Sequence, residues 1–147
     1  MYRNLPQKRY NPASLMRRAG AAFIDQLFIT GNLIFFNILL LILSGFIALP
    51  LLPIGFIGMY IICSLFYFTL MESRYFNGQT IGCRAFGIKV VTVSNELAGL
   101  SQTYLRYLGG FISLLVLGLG YIPWGREKRN LTDLISDTKV VFTKDEE

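Results

Sequence analysis

No histidine occurs among the 147 residues of this chain. Histidine metal sites, histidine general bases and Ser-His-Asp triads are therefore excluded. Only two cysteines are present. Cys63 lies in an apolar run and Cys83 in a polar loop, which makes no disulfide framework. Charge is also scarce, at 16% of residues, against about 25% in soluble domains. No phosphate-binding glycine loop or dinucleotide fingerprint occurs. The sequence calls for no cofactor and no metal, and without a paired nucleophile and base it does not read as an enzyme.

What the chain has in abundance is apolar surface: 53% of its residues are hydrophobic and 14% aromatic. Residues 1–18 form a basic tail with Arg3, Lys8, Arg9, Arg17 and Arg18. Ser14, after Pro12, stands where a helix cap is expected. Residues 19–43 carry a single charge, Asp25, and about 20 apolar residues suffice to cross a hydrocarbon layer about 30 Å thick. They are read as the first membrane helix. An uncharged connection, Ser44 to Pro50, leads to a second apolar run at 51–71, so the two helices make a hairpin. Pro53, Gly55 and Gly58 fall in the first half of the second helix, where membrane helices tolerate them.

Residues 72–103 are a polar loop. Within it Ile88 to Val93 is β-branched and strand-like, and Lys139 to Thr143 has the same character. The two are expected to pair, since a lone strand leaves its backbone groups unsatisfied. The third membrane segment, 104–124, has an apolar stretch from Leu108 to Ile122 of only about 15 residues, short for a crossing. A tail at 125–147 follows.

The net charge is +5, but the basic residues flank apolar segments and line no soluble face, which speaks against nucleic acid. Five Lys or Arg precede the first helix, none lies in the first connection, four lie from Arg74 to Arg106, and five follow the third segment. The positive-inside tendency puts the N terminus and the middle loop in the cytoplasm. Three full crossings would push the basic stretch from Gly125 to Arg129 outside. A re-entrant third segment avoids that and agrees with strand pairing. The expected fold is an α-helical membrane protein. It comprises two long transmembrane helices as a hairpin, a third short apolar segment, spanning or re-entrant, and a small cytoplasmic two-stranded β element.

Asp25 stands out because a carboxylate deep in a membrane helix costs about 2.5 to 3.5 kcal/mol on insertion scales and calls for a partner or a task. Arg18 lies seven residues before it and Asn32 seven after, a step that returns to nearly the same helix face. Arg18, Asp25 and Asn32 are thus expected on one polar stripe. In an antiparallel hairpin Ser64 and Tyr67 reach similar depth and offer hydroxyls to the carboxylate. Asp133 is read either as a cap or surface pair, or as folding back to Arg17, Arg18 or Arg106 beside Asp25.

An arginine opening the first membrane helix, an aspartate within it and a late aspartate before a short strand resemble the RDD family of bacterial integral membrane proteins. The segments are MRRAGAAFID, GQTIGCRAFGIKVV, LRYL and KRNLTDLISDTKVV, in the family's order. The resemblance implies that the signature arginine is Arg17 or Arg18 and that the aspartates are Asp25 and Asp133. It also implies functional positions at Thr80 and Gly82 in the loop and at Arg106. Two positions depart from the pattern: Cys83 stands where a basic residue is usual, and Asp137 where a glycine is usual.

The resemblance implies a multi-pass protein of the bacterial inner membrane for which transport has been proposed. Two functions fit the residues. One is movement of protons, small cations or another small solute, which needs a homo-oligomer or hetero-oligomer because so few helices enclose no pathway. The other is a structural or accessory subunit whose basic cytoplasmic face grips anionic lipid headgroups.

Overall fold

A computed structural model describes residues 10–44, 52–115, 119–123, 125 and 128–143. The first nine residues, the connection between the long helices, and Trp124, Arg126 and Glu127 lie outside the described residues, as do the last four.

Helix α1 runs from Leu15 to Leu43 and α2 from Leu52 to Met71. Both are long and apolar enough to cross a bilayer. Most of their large side chains, Phe23, Phe35, Ile54 and Phe66 among them, are exposed, which suits lipid and not water. Pro53 sits in the first turn of α2, where the missing N–H is harmless. Ser14 holds the cap position of α1 but makes no side-chain cap bond. Its carbonyl instead accepts from the Arg18 amide at 3.2 Å. Asp25 of α1 meets Tyr67 of α2, and Gln26 meets Tyr60. The two helices therefore run antiparallel.

A polar cap is built at the end of the hairpin where α1 begins and α2 stops. It contains a short helix α3 (Ile81–Ala85), strand β1 (Ile88–Thr92), a short helix α5 (Leu131–Ile135) and strand β2 (Thr138–Phe142). β1 and β2 pair antiparallel, with Val90 opposite Val140. The tail flanks β2 on its other edge: the Ala13 amide donates to the Val140 carbonyl at 2.9 Å and the Phe142 amide to the Asn11 carbonyl at 3.1 Å. Gly78, at φ 69°, brings its carbonyl 2.8 Å from the Val90 amide. A Cβ there would overlap the Val90 carbonyl. Two five-residue strands are marginal alone in water. Here Ala13, Ala21, Cys83, Ile88, Val90, Ala98 and Val140 close a core over them.

The third segment is helix α4 (Leu100–Leu115). It runs back along α2: the Thr103 hydroxyl donates to the Thr69 carbonyl at 2.8 Å, and Tyr107 bonds Ser64 at 2.6 Å. The chain then reverses. Gly120 lies against Ser113, the Tyr121 hydroxyl donates to the Gly110 carbonyl at 3.2 Å, and Gly109 lies against Thr132 of α5.

Candidate functional site

Two buried aspartates join the cap to the long helices, each by different chemistry. Asp25 is 2% exposed. Its Oδ1 accepts from the Tyr67 hydroxyl at 2.6 Å and from the Gly82 amide at 2.8 Å, and its Oδ2 accepts from the Thr80 hydroxyl at 2.6 Å. Every donor is uncharged. Three such bonds compensate the burial of a carboxylate that has no cationic partner among the described residues.

The local sequence explains why the donors point inward. Thr80 caps α3, accepting from the Cys83 amide at 3.1 Å, while the Ile81 amide donates to the Tyr67 hydroxyl at 3.1 Å. The first amides of α3 are thereby satisfied by Tyr67, Asp25 and Thr80. Gly82 is demanded by distance alone, since a Cβ would overlap the Ala21 carbonyl and lie 2.9 Å from Oδ2 of Asp25.

Asp133 is fully buried and ionically paired. Arg18 meets its Oδ2 at 2.7 Å and Arg106 closes on its Oδ1. Asn130 and Asp133 form a capping box at the start of α5, so the same carboxylate also accepts from the Asn130 amide at 3.2 Å. Arg106 reaches further, to Oε2 of Glu72 at 3.0 Å and to the Thr138 hydroxyl at 3.0 Å. Arg18 donates to the Ala13 and Val140 carbonyls, both at 3.3 Å. The result is a set of two arginines and two carboxyl groups joining α1, the end of α2, α4, α5 and β2.

Electrostatics differ along this set. Burial pushes the Asp133 carboxyl up, but Arg106 and Arg18 outweigh it and hold the group below the usual carboxylate range. For Glu72 burial wins over Arg106, and its carboxyl rises. Burial pushes the Cys83 thiol up to about 11, which makes it inert packing.

Several expectations need correction. Arg18 bonds Asp133, one of the two alternatives that the sequence offers for that aspartate, and among the described contacts it does not reach Asp25. Asn32 is not part of the site. It is exposed and donates to its own helix at the Phe28 carbonyl, 2.8 Å away. The buried stripe of α1 is instead Ala21, Asp25, Ile29 and Leu33. Ser64 is buried but its hydroxyl donates to the Ile61 carbonyl at 3.1 Å and pairs with the Tyr107 hydroxyl, so of the two expected hydroxyls only Tyr67 reaches Asp25. Arg17 points outward, bonding the Phe86 carbonyl at 3.3 Å with its guanidinium 4.8 Å from the Phe142 ring. Glu72 was missed, although a carboxylate ending an uncharged apolar run was a signal for it. The spacing of Asn130 and Asp133, three residues apart, was likewise a capping signal.

The sequence model of the RDD family matches residues 12–137. The chain belongs to the RDD family. The uncharacterized protein YckC of Bacillus subtilis (strain 168) is 25% identical over 148 residues, an alignment covering 90% of this chain and 86% of YckC. No solved structure matches the chain. Among the residues that the RDD resemblance implies, Arg18, Arg106 and Asp133 meet in one cluster, and Asp25, Thr80 and Gly82 meet in the other. Asp137, where an RDD glycine is usual, has φ 50°. That left-handed backbone is the physical reason for a glycine there.

Proposed function

We propose that this RDD protein is a structural or accessory subunit of the bacterial inner membrane, working within an oligomer. It has two spans, a re-entrant third segment and a cytoplasmic polar cap. The observation that carries this reading is the occupancy of Asp25. Three donors hold about three of its four acceptor sites, and all three serve to fix α3 and α2 against α1. A carboxylate bound this way acts as a lock.

The topology draws on the path of the chain. Asn11 to Ala13, β1 and β2 are bonded side by side, and they lie before α1, after α2 and after α4 respectively. The described residues of α4, Leu100–Leu115, extend about 24 Å against a hydrocarbon layer about 30 Å thick, and by Gly120 the chain already lies against Ser113. Gly120 and Tyr121 then fold back along it. This reading puts the described basic residues of the tail, the middle loop and the C-terminal part on one side, in keeping with the positive-inside tendency.

A second reading, movement of protons or small cations through an oligomer, draws on Asp25, a carboxylate buried within a membrane helix, and on Glu72, the carboxylate with one shared arginine. Asp25→Asn separates the two. On the accessory reading the variant is less abundant and less assembled, with no flux to lose. Proton or alkali-cation flux in vesicles that Asp25→Asn abolishes, with abundance unchanged, contradicts it. The mass of the detergent-solubilised complex gives a second check, and a bare monomer would contradict the oligomer.

A further inference from the structure

Helix lengths locate the edge of the hydrocarbon on this protein. The 20 described residues of α2 extend about 30 Å, enough for the apolar layer, whereas the 29 residues of α1 extend about 43 Å. Tyr67 is level with Asp25. In an antiparallel pair Met71, four residues beyond Tyr67, is then level with Ala21, four residues before Asp25. The turns of α1 before Ala21 stand outside the hydrocarbon, among the cap elements. Helix α3, pressed against Ala21 and Asp25 through Gly82, lies at the level where acyl chains give way to headgroups.

The outer surface of the chain at that level has an unusual make-up. Tyr75 is 63% exposed, Phe76 39% and Ile81 37%, all in a polar loop directly after a spanning helix. Arg74 directly precedes Tyr75 and Arg84 follows Ile81 by one turn of α3, and both arginines are exposed. The Arg74 guanidinium lies 5.6 Å from the Tyr75 ring centroid. Among the described residues neither arginine forms a salt bridge with a carboxylate, unlike Arg18, Arg106 and Arg129. Exposed aromatic rings beside unneutralised arginines at the edge of a membrane helix match the phosphate level of a bilayer, where rings take the amphipathic layer and guanidiniums take phosphate oxygens.

We propose that the segment from Arg74 to Arg84 lies in the headgroup layer and binds anionic phospholipid, with Arg74 and Arg84 on the lipid phosphates and Tyr75, Phe76 and Ile81 inserted beside them. This deepens the accessory reading and rests only on its placement of α1 and α2 as spans.

The full chain, purified in detergent, is offered equal amounts of phosphatidylglycerol and phosphatidylcholine, and retained lipid is read by native mass spectrometry. The wild type retains phosphatidylglycerol in preference. Each of Arg74→Gln and Arg84→Gln lowers that retention about 5-fold and the double variant about 25-fold, from about 1 kcal/mol per basic residue at an anionic surface. Phosphatidylcholine, whose choline offsets the charge of its phosphate, changes less than about twofold in all three. Hydrogen exchange at Val90 and Val140 stays as in the wild type, which shows that the variants keep the cap. Equal phosphatidylglycerol retention in wild type and double variant overturns the proposal and leaves the surface to a protein partner. Displacement of the phosphatidylglycerol by inorganic phosphate also overturns it, assigning the arginines to a free anion. A wild-type chain that retains neither lipid and stays dissolved without detergent would instead defeat the reading of α1 and α2 as spans.

Discussion

Replacing Asp133 by Asn tests the ion cluster most sharply. The substitution keeps size and shape but removes the charge between Arg18 and Arg106, whose side chains are only 10% and 12% exposed. Removing one partner of a buried pair costs about 3 to 5 kcal/mol, because the remaining charge is left buried without compensation. Glu72 still offers Arg106 a carboxylate at 3.0 Å, so the lower end, about 3 kcal/mol, applies. The loss falls on the cap, since the cluster holds α5, β2 and the tail to the ends of α1 and α4. Opening of the cap becomes about 100-fold more populated. Hydrogen exchange on detergent-solubilised protein reads this directly: amides of Val90, Val91, Val140 and Val141 lose about two decades of protection while the middle of α1 keeps its own. The double variant Arg18→Gln with Asp133→Asn loses less than the two single losses added, as coupled partners do. Less than about threefold change in cap protection would refute the role given to Asp133.

Three further outcomes follow from the geometry. Gly82→Ala forces α3 off α1 because the added carbon meets the Ala21 backbone; in a Cys63→Ser background, Cys83, now 7% exposed, becomes readily labelled by a maleimide, and unchanged labelling would contradict the packing. Asp137→Gly relieves a left-handed residue at φ 50° and raises stability by about 1 kcal/mol, since its ion pair to Arg129 at 3.5 Å is 83% exposed on the aspartate side and contributes little; a lowered unfolding midpoint would contradict this. Glu72 has a raised pKa in the folded protein, so the stability it contributes is full below its ordinary value of 4.5 and is lost as pH rises through the raised one. Glu72→Gln removes that loss, and parallel pH profiles of the unfolding midpoint for wild type and variant would contradict it.

Much of this architecture is legible in the sequence, because lipid imposes simple demands. The two apolar runs place α1 and α2 within a few residues, although α1 begins at Leu15 and not at Ala19, its first turn being held by the cap. The β-branched runs around Val90 and Val140 announce the strands, and the need to satisfy their backbones announces the pairing. Asp25 is legible as a lone charge among apolar residues. Its partners are less so: an interval of seven residues gives a helix face but not what packs against it, which is why Asn32 was expected at the site and is exposed. Arg18 and Asp133 are 115 residues apart in sequence; the sequence offers their contact only as an alternative to a cap, and the structure holds both. Glu72 and Thr138 enter through Arg106, whose reach depends on where the chain reverses after α4. Helices α3 and α5 have five residues each, too short for periodicity, so their caps at Thr80 and Asn130 were the only trace of them.

The account depends on the tail, the middle loop and β2 meeting on one side of the membrane. Compartment-sensitive reporters fused at Met1 and at Glu147 test this directly in intact cells. Both reporters are expected to signal from the cytoplasm. A Glu147 reporter that signals from outside while the Met1 reporter signals from within would mean that the third segment crosses, and the cap described here could not form.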